Sequence, residues 1–287
     1  MLRFAMVLCI AVTLPFTVDV LADDSRRIND IVYAEVDGQR LLLDLYLPAV
    51  DKTPLVVWVH GGAWRSGSRA NMPLGFLVDD GYAVASVDYR LSGTAKFPAQ
   101  VFDCKAAIRF LRTTAGKYGY DADRIAVAGS SAGGHLVAEM GVTNGHPELE
   151  GQVGEHKNVS SDVHAIVDYY GPTNLMTILG QSTPHGLSVR VPALELLLGD
   201  QRNPELAKLA SPVFHVDEND PPLLMIHGDQ DPQVPINQSH ELDGIYKSLN
   251  LDVTFEVVHG GAHGGELFYD SQRQAIVKSF LDRTIKR

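Results

Sequence analysis

Ser131 stands at the centre of Gly129-Ser130-Ser131-Ala132-Gly133, between the apolar run Arg124-Ile125-Ala126-Val127-Ala128 and the helix-like stretch Gly134-His135-Leu136-Val137-Ala138-Glu139-Met140. A strand, a sharp turn and a helix in that order expose a serine as a nucleophile. The constraint is steric: the turn holds the serine in a strained backbone conformation, and where strand and helix cross there is no room for side chains. In this register Ser130 is excluded as the nucleophile. A bare Gly-x-Ser-x-Gly match also marks ordinary tight turns, so the remainder of the chain has to supply the partners.

A serine hydroxyl is a poor nucleophile at neutral pH and needs a general base, itself oriented by a carboxylate. Downstream, Leu223-Leu224-Met225-Ile226 reads as a buried strand running into His227-Gly228-Asp229-Gln230-Asp231-Pro232-Gln233-Val234-Pro235, which puts two aspartates on one strand-end loop. Val253 to Val258 reads as another strand, emptying into His259-Gly260-Gly261-Ala262-His263-Gly264-Gly265. The order is therefore serine, aspartate, histidine. Spacing alone does not choose between Asp229 and Asp231. Of the histidines, His259 ends an apolar strand, whereas His263 follows flexible glycines that let a loop carry it back over the serine.

Together with His60-Gly61-Gly62-Ala63-Trp64, these motifs carry a resemblance. From about Ile28 to the C-terminus the chain resembles the α/β-hydrolase esterases of the bacterial feruloyl and acetylxylan esterase type, related to the hormone-sensitive-lipase group. The resemblance implies an α/β fold: a mostly parallel central sheet with antiparallel N-terminal strands and helices on both faces. It also implies that Asp231 is the acid and His263 the base, with Asp229 a turn residue bonding nearby amides.

The run Pro54 to Val59 has the character of a buried central strand and ends at His60. Acyl transfer needs amide hydrogens aimed at a developing oxyanion, and residues with little side chain let the backbone come that close. By resemblance those amides belong to Gly62, Ala63 and Ala132. His60 reads as a brace for the loop. Trp64 replaces a glycine of the all-glycine version, and is expected either to offer substrate a flat aromatic wall or to serve as a packing residue.

With 287 residues, 45% of them hydrophobic, the chain can bury a sizeable core as one domain, residues 23–287. Its net charge of −11 includes no basic run, which disfavours nucleic acid and anionic membrane surfaces as partners. Residues 1–22 read as a cleaved signal peptide: Met1-Leu2-Arg3 is a positive start, Phe4 to Phe16 is apolar, and Val20-Leu21-Ala22 offers a cleavage site. The apolar stretch is too short for a stable membrane anchor and contains Pro15. A secreted or periplasmic location follows, in which Cys104 is left without an internal partner and reads as a core residue.

The rest alternates strands and helices without an internal repeat. Ile28 to Val36 and Arg40 to Leu47 read as strands paired around Asp37-Gly38. Tyr82 to Val87 and His164 to Tyr170 read as further strands, and Pro98 opens a helix with Val101, Cys104, Ile108 and Leu111 on one face. Residues 171–220 are irregular, with short amphipathic pieces at Ala193 to Leu198 and Pro204 to Leu209, and are placed to form a small cap insertion over the site. Asn237 to Leu249 and Phe268 to Ile285 read as the closing helices.

No cofactor is expected: there is neither a dinucleotide fingerprint nor a phosphate loop, and His135 with Glu139 lacks the third ligand of a metal site. The expected partner is a small-molecule or polysaccharide ester. The reading is a serine carboxylesterase for short-acyl or hydroxycinnamoyl esters. A peptidase or amidase on the same fold, and a silent binding module, are the alternatives.

Overall fold

The computed structural model describes residues 26–199 and 203–286. The expected signal peptide, residues 1–22, lies outside them. The strands are β1 (Arg26–Val36), β2 (Gln39–Leu47), β3 (Thr53–Val59), β4 (Ala83–Val87), β5 (Tyr120–Ser130), β6 (Ala165–Tyr169), β7 (Leu223–Gly228) and β8 (Val253–Val258). They form a single sheet in the order β1-β2-β4-β3-β5-β6-β7-β8. The β1–β2 and β2–β4 pairs are antiparallel and every later pair is parallel. Asp37 and Gly38 join β1 to β2 with φ of 50° and 80°. Two consecutive positive φ values match the right-handed twist of the flanking strands, which is why an Asp-Gly pair marks this turn.

The helices are α1 (Gly75–Asp79), α2 (Ala99–Tyr118), α3 (Ala132–Gly141), α4 (Ile178–Gln181), α5 (Pro184–Leu198), α6 (Pro204–Leu209), α7 (Asn237–Ser248) and α8 (Ser271–Thr284). β3 shows why its sequence is apolar throughout. Leu55, Val57 and Val59 pack into the core built with α2 and α3, whereas Val56 and Trp58 face a second core built with α1 and α8. Successive side chains point to opposite faces, so a strand covered on both sides is hydrophobic without alternation. Among the described residues no helix is long and apolar enough to cross a membrane.

The segment 171–220 is more regular than expected. Instead of a short piece at 193–198, α5 runs from Pro184 to Leu198 with Pro192 inside it. Its N-terminus is well made: Thr183 Oγ1 accepts a hydrogen bond from the Gly186 N–H at 3.1 Å, and Pro184 occupies the first turn, where a missing N–H costs nothing. Buried Ala193, Leu194 and Leu197 anchor the far half, and this packing offsets the defect at Pro192.

Candidate active site

The parallel strands deliver their C-terminal ends to one side of the sheet, and four of the loops that leave them carry the residues singled out above. β5 ends at Ser130, and Ser131 turns the chain into α3 with φ 53° and ψ −117°. This left-handed geometry is strained for a serine. It is held by hydrogen bonds from the Ser131 N–H to the Tyr169 carbonyl at 2.8 Å and from the His135 N–H to the Ser131 carbonyl at 2.9 Å. The flanking glycines are sterically required: a Cβ on Gly129 would collide with the Gly133 carbonyl, and one on Gly133 with the Val59 carbonyl.

His263 closes over the serine. Its Nε2 lies 2.8 Å from Ser131 Oγ and its Nδ1 lies 2.6 Å from Asp231 Oδ2. An ionised carboxylate can only accept, so Nδ1 carries the ring proton and Nε2 is free to accept from the serine hydroxyl. The other oxygen of Asp231, Oδ1, accepts the N–H groups of Gln233 and Val234 at 2.7 and 2.9 Å. Burial pushes the Asp231 carboxyl upward, but His227 and His263 outweigh it and hold the group far below the usual carboxylate range. His227 is buried 3.4 Å from Asp231 Oδ2, with its ring fixed by Val234 O at 3.0 Å and Ser239 Oγ at 2.7 Å.

The duplicated candidates separate cleanly. Asp229 pairs with His259 at 2.9 Å and accepts the Gly260 N–H at 2.8 Å, a second aspartate–histidine pair outside the chain of hydrogen bonds to Ser131. The His259 side chain is 86% exposed, so the pair is a surface feature. Ser130 shares the pocket with Ser131, but the serine that His263 touches is Ser131.

Gly62 and Ala63 sit on the loop after β3 with φ of 111° and 53°. Among the described residues neither N–H is spent on a hydrogen bond, and both residues line the pocket that contains Ser131. Ala132 opens α3, where a backbone N–H has no partner within the helix. Three uncommitted amides therefore lie near Ser131, two on the pocket loop and one on the residue that follows the serine. The loop is braced by His60, which stacks on Tyr89 with ring centroids 4.4 Å apart and bonds the Gly61 carbonyl through Nδ1 at 2.8 Å. Burial pushes the His60 imidazole down, keeping it neutral for this task.

Trp64 is a correction. Its side chain is fully buried in the core, and its indole N–H donates to His135 Nδ1 at 3.1 Å, so it offers no wall to a substrate. The chain reverses direction there, with φ of 58°, and sends the ring inward. His135 is the matching acceptor: Nε2–H donates to the Ala210 carbonyl at 2.8 Å, and burial pushes its pKa down to about 4. Trp64→Phe leaves that buried Nδ1 unpaired and a small void, and is expected to lower the unfolding free energy by roughly 2–4 kcal/mol. Urea denaturation measures the loss, and the preference among esters stays as in the parent chain. A changed preference without a stability loss would place Trp64 in the pocket after all.

The pocket has a volume of about 340 Å³. Sequence reasoning missed three contributors to it. Tyr170 packs edge-on against His263 with centroids 4.9 Å apart. Arg65 follows the amide loop, and Arg190 comes from α5, which brings the 171–220 segment to the site. The adjacency of Tyr170 to the end of β6 was a usable signal. Nothing in the local sequence marks Arg190.

The sequence model of the BD-FAE family matches residues 43–245. Esterase LipC of Mycobacterium tuberculosis (strain ATCC 25618 / H37Rv) is 34% identical over 221 residues, covering 75% of this chain and 53% of that protein. Esterase LipQ of the same strain is 32% identical over 269 residues, covering 90% of this chain and 62% of that protein. The chain thus spans little more than half the length of these curated relatives. Among solved structures, a truncated carbohydrate esterase from gut microbiota superposes with a TM-score of 0.81 at 32% identity, covering 92% of this chain and 98% of that one. The butyrate-bound esterase Est2 of the Planctomycetes species Thermogutta terrifontis gives a TM-score of 0.75 at 28% identity, covering 88% of this chain and 93% of that one.

Proposed function

This chain belongs to the BD-FAE family of α/β-hydrolase esterases, and from that premise we propose that it is a serine carboxylesterase acting through an acyl-enzyme. The observation that carries the reading is the continuous hydrogen-bonded line from Asp231 through His263 to Ser131, with links of 2.6 and 2.8 Å. Ser131 Oγ attacks the ester carbonyl while His263 Nε2 takes its proton. The amides of Gly62, Ala63 and Ala132 receive the charge that develops on the carbonyl oxygen. His263 then returns the proton to the departing alcohol, and Asp231 stabilises the imidazolium throughout without itself becoming protonated. Water repeats the sequence on the acyl-enzyme and frees the acid.

Short-acyl esters, including those carried on polysaccharides, are the proposed substrates. The pocket volume of about 340 Å³ lies at the small end for ligand sites and favours a short acyl chain. The likeness to a carbohydrate esterase supports a sugar on the alcohol side. With Trp64 buried, a hydroxycinnamoyl group would have Tyr170 as its aromatic neighbour. Secretion or export to the periplasm fits such polymers and rests on residues 1–22.

The test combines stoichiometric labelling of Ser131 by an organophosphonate with kinetics on p-nitrophenyl esters from acetyl to palmitoyl, beside acetylated xylan and methyl ferulate. Labelling at Ser131 and a kcat/KM that falls by about tenfold or more from butyryl to lauroyl are expected. Highest kcat/KM on the longest chains, with activation at a lipid interface, would contradict the short-acyl assignment. An unlabelled Ser131 would contradict the enzyme assignment itself.

A further inference from the structure

The pocket beside Ser131 contains a charge that the hydrolytic steps leave unused. Arg190 is 1% exposed, yet it lines the same pocket as Ser131, His263 and Gln233. Among the described residues its Nε and Nη1 have no hydrogen-bond partner. A buried guanidinium in this condition is costly, because two of its nitrogens have given up water without gaining an acceptor. Burial pushes its pKa down to about 10, which still leaves it protonated at neutral pH.

The charges nearest to it do not resolve the deficit. Asp231 attracts Arg190, but its oxygens are already committed to the Gln233 and Val234 amides and to His263. Arg65 repels Arg190 and lines the same pocket, so it adds a second positive charge to the deficit. Two guanidinium groups therefore converge on the catalytic pocket of a chain whose net charge is −11.

The geometry points to a substrate subsite: Arg190, assisted by Arg65, binds a carboxylate that the substrate carries close to its scissile ester. This rests on the serine-esterase reading above and narrows its substrate class. A carboxylate offers two coplanar acceptors that match the guanidinium fork and supplies the missing negative charge. Neutral sugar hydroxyls would fill the hydrogen bonds and leave the charge uncompensated. The carboxylate has two sources, the free end of a dicarboxylic acyl group or a uronic acid on the alcohol side.

Two matched ester pairs distinguish these sources, each pair differing by one charge. The first is p-nitrophenyl hydrogen succinate against its methyl ester. The second is an O-acetylated methyl galacturonoside with a free C6 carboxylate against its C6 methyl ester. The wild-type enzyme is expected to prefer the charged member of at least one pair by about tenfold to a hundredfold in kcat/KM, in line with charge-assisted hydrogen bonds at a buried site. That ratio is expected to fall to near one in Arg190→Gln, to recover in part in Arg190→Lys, and to shrink with added salt. Preference for the neutral member in both pairs, or a charged preference that survives in Arg190→Gln, overturns the subsite.

A measurement on the wild type alone guards against a variant that fails to fold. Succinate or methyl galacturonoside carboxylate is expected to inhibit p-nitrophenyl acetate hydrolysis competitively, and absence of inhibition by both also overturns the subsite. Hydrolysis with a neutral preference defeats this inference alone. No hydrolysis of any ester, p-nitrophenyl acetate included, defeats the esterase reading and this inference with it.

Discussion

Ser131→Ala is expected to lower kcat for p-nitrophenyl acetate by about 10⁴–10⁶-fold, leaving only what the amides and binding provide without a nucleophile. The fold tolerates the change, because Ser131 is held by its backbone N–H and carbonyl, and an alanine keeps both bonds. Circular dichroism and urea midpoints matching the parent chain are part of the expected result. Ser130→Ala is the control, with a loss below about tenfold, since Ser130 lines the pocket without donating a hydrogen bond to His263. A deep loss at Ser130 with activity retained at Ser131 would mean that the elbow presents the other hydroxyl.

The second large effect divides the two aspartate–histidine pairs. Asp231→Asn is expected to cost about 10⁴-fold in kcat, because an amide can donate to His263 Nδ1 and so favours the tautomer whose Nε2 is already protonated. His263→Ala is expected to cost about as much or more, as it removes the base itself. Asp229→Asn and His259→Ala should each cost less than about tenfold, since their pair lies at the surface with no link to Ser131. Equal losses at the two aspartates would undo the assignment of the acid.

The same residue carries a pH signature with a definite sign. The folded pKa of Asp231 is depressed, so its ionised form stabilises the fold above the usual carboxylate range, and this contribution is lost only as pH falls through the lower folded value. Asp231→Asn should therefore also lower stability at neutral pH, and the two activities are compared at temperatures where both chains are folded.

The sharp turn at Ser131 was legible because strain leaves a compositional trace: only glycine fits at 129 and 133, where backbone crosses backbone. The strands were legible from runs of apolar residues, and the Asp37-Gly38 turn from a residue pair that tolerates the positive φ values found there. The choice between neighbouring aspartates came from the family resemblance and not from their spacing. Asp229 and Asp231 occupy one loop and differ in direction, a property of the folded loop that spacing two residues apart does not encode. Trp64 was left open between a substrate wall and a packing residue for a related reason. Its place beside the amide loop is visible, but the left-handed backbone that turns its ring inward is not a trait of tryptophan. α5 was shortened because Pro192 suggests a break, although Thr183-Pro184 is a helix-start signal that read correctly would have set its beginning. Arg190 left no trace at all, since its meaning comes from where the fold buries it.

The sheet order also sets when this chain becomes chemically competent. The amide loop and Ser131 follow β3 and β5 in the middle of the sheet, whereas Asp231 and His263, the proposed acid and base, follow β7 and β8, which close its far edge. During synthesis from the N-terminus, the ribosome has released Ser131 more than a hundred residues before His263, and the two meet only once β8 has docked on β7. On the proposed mechanism the serine has no base until then. If Ser131 acts as proposed, turnover reports on the last pairing of the sheet, and a nascent chain still missing that edge strand is expected to leave untouched the esters it meets on the way.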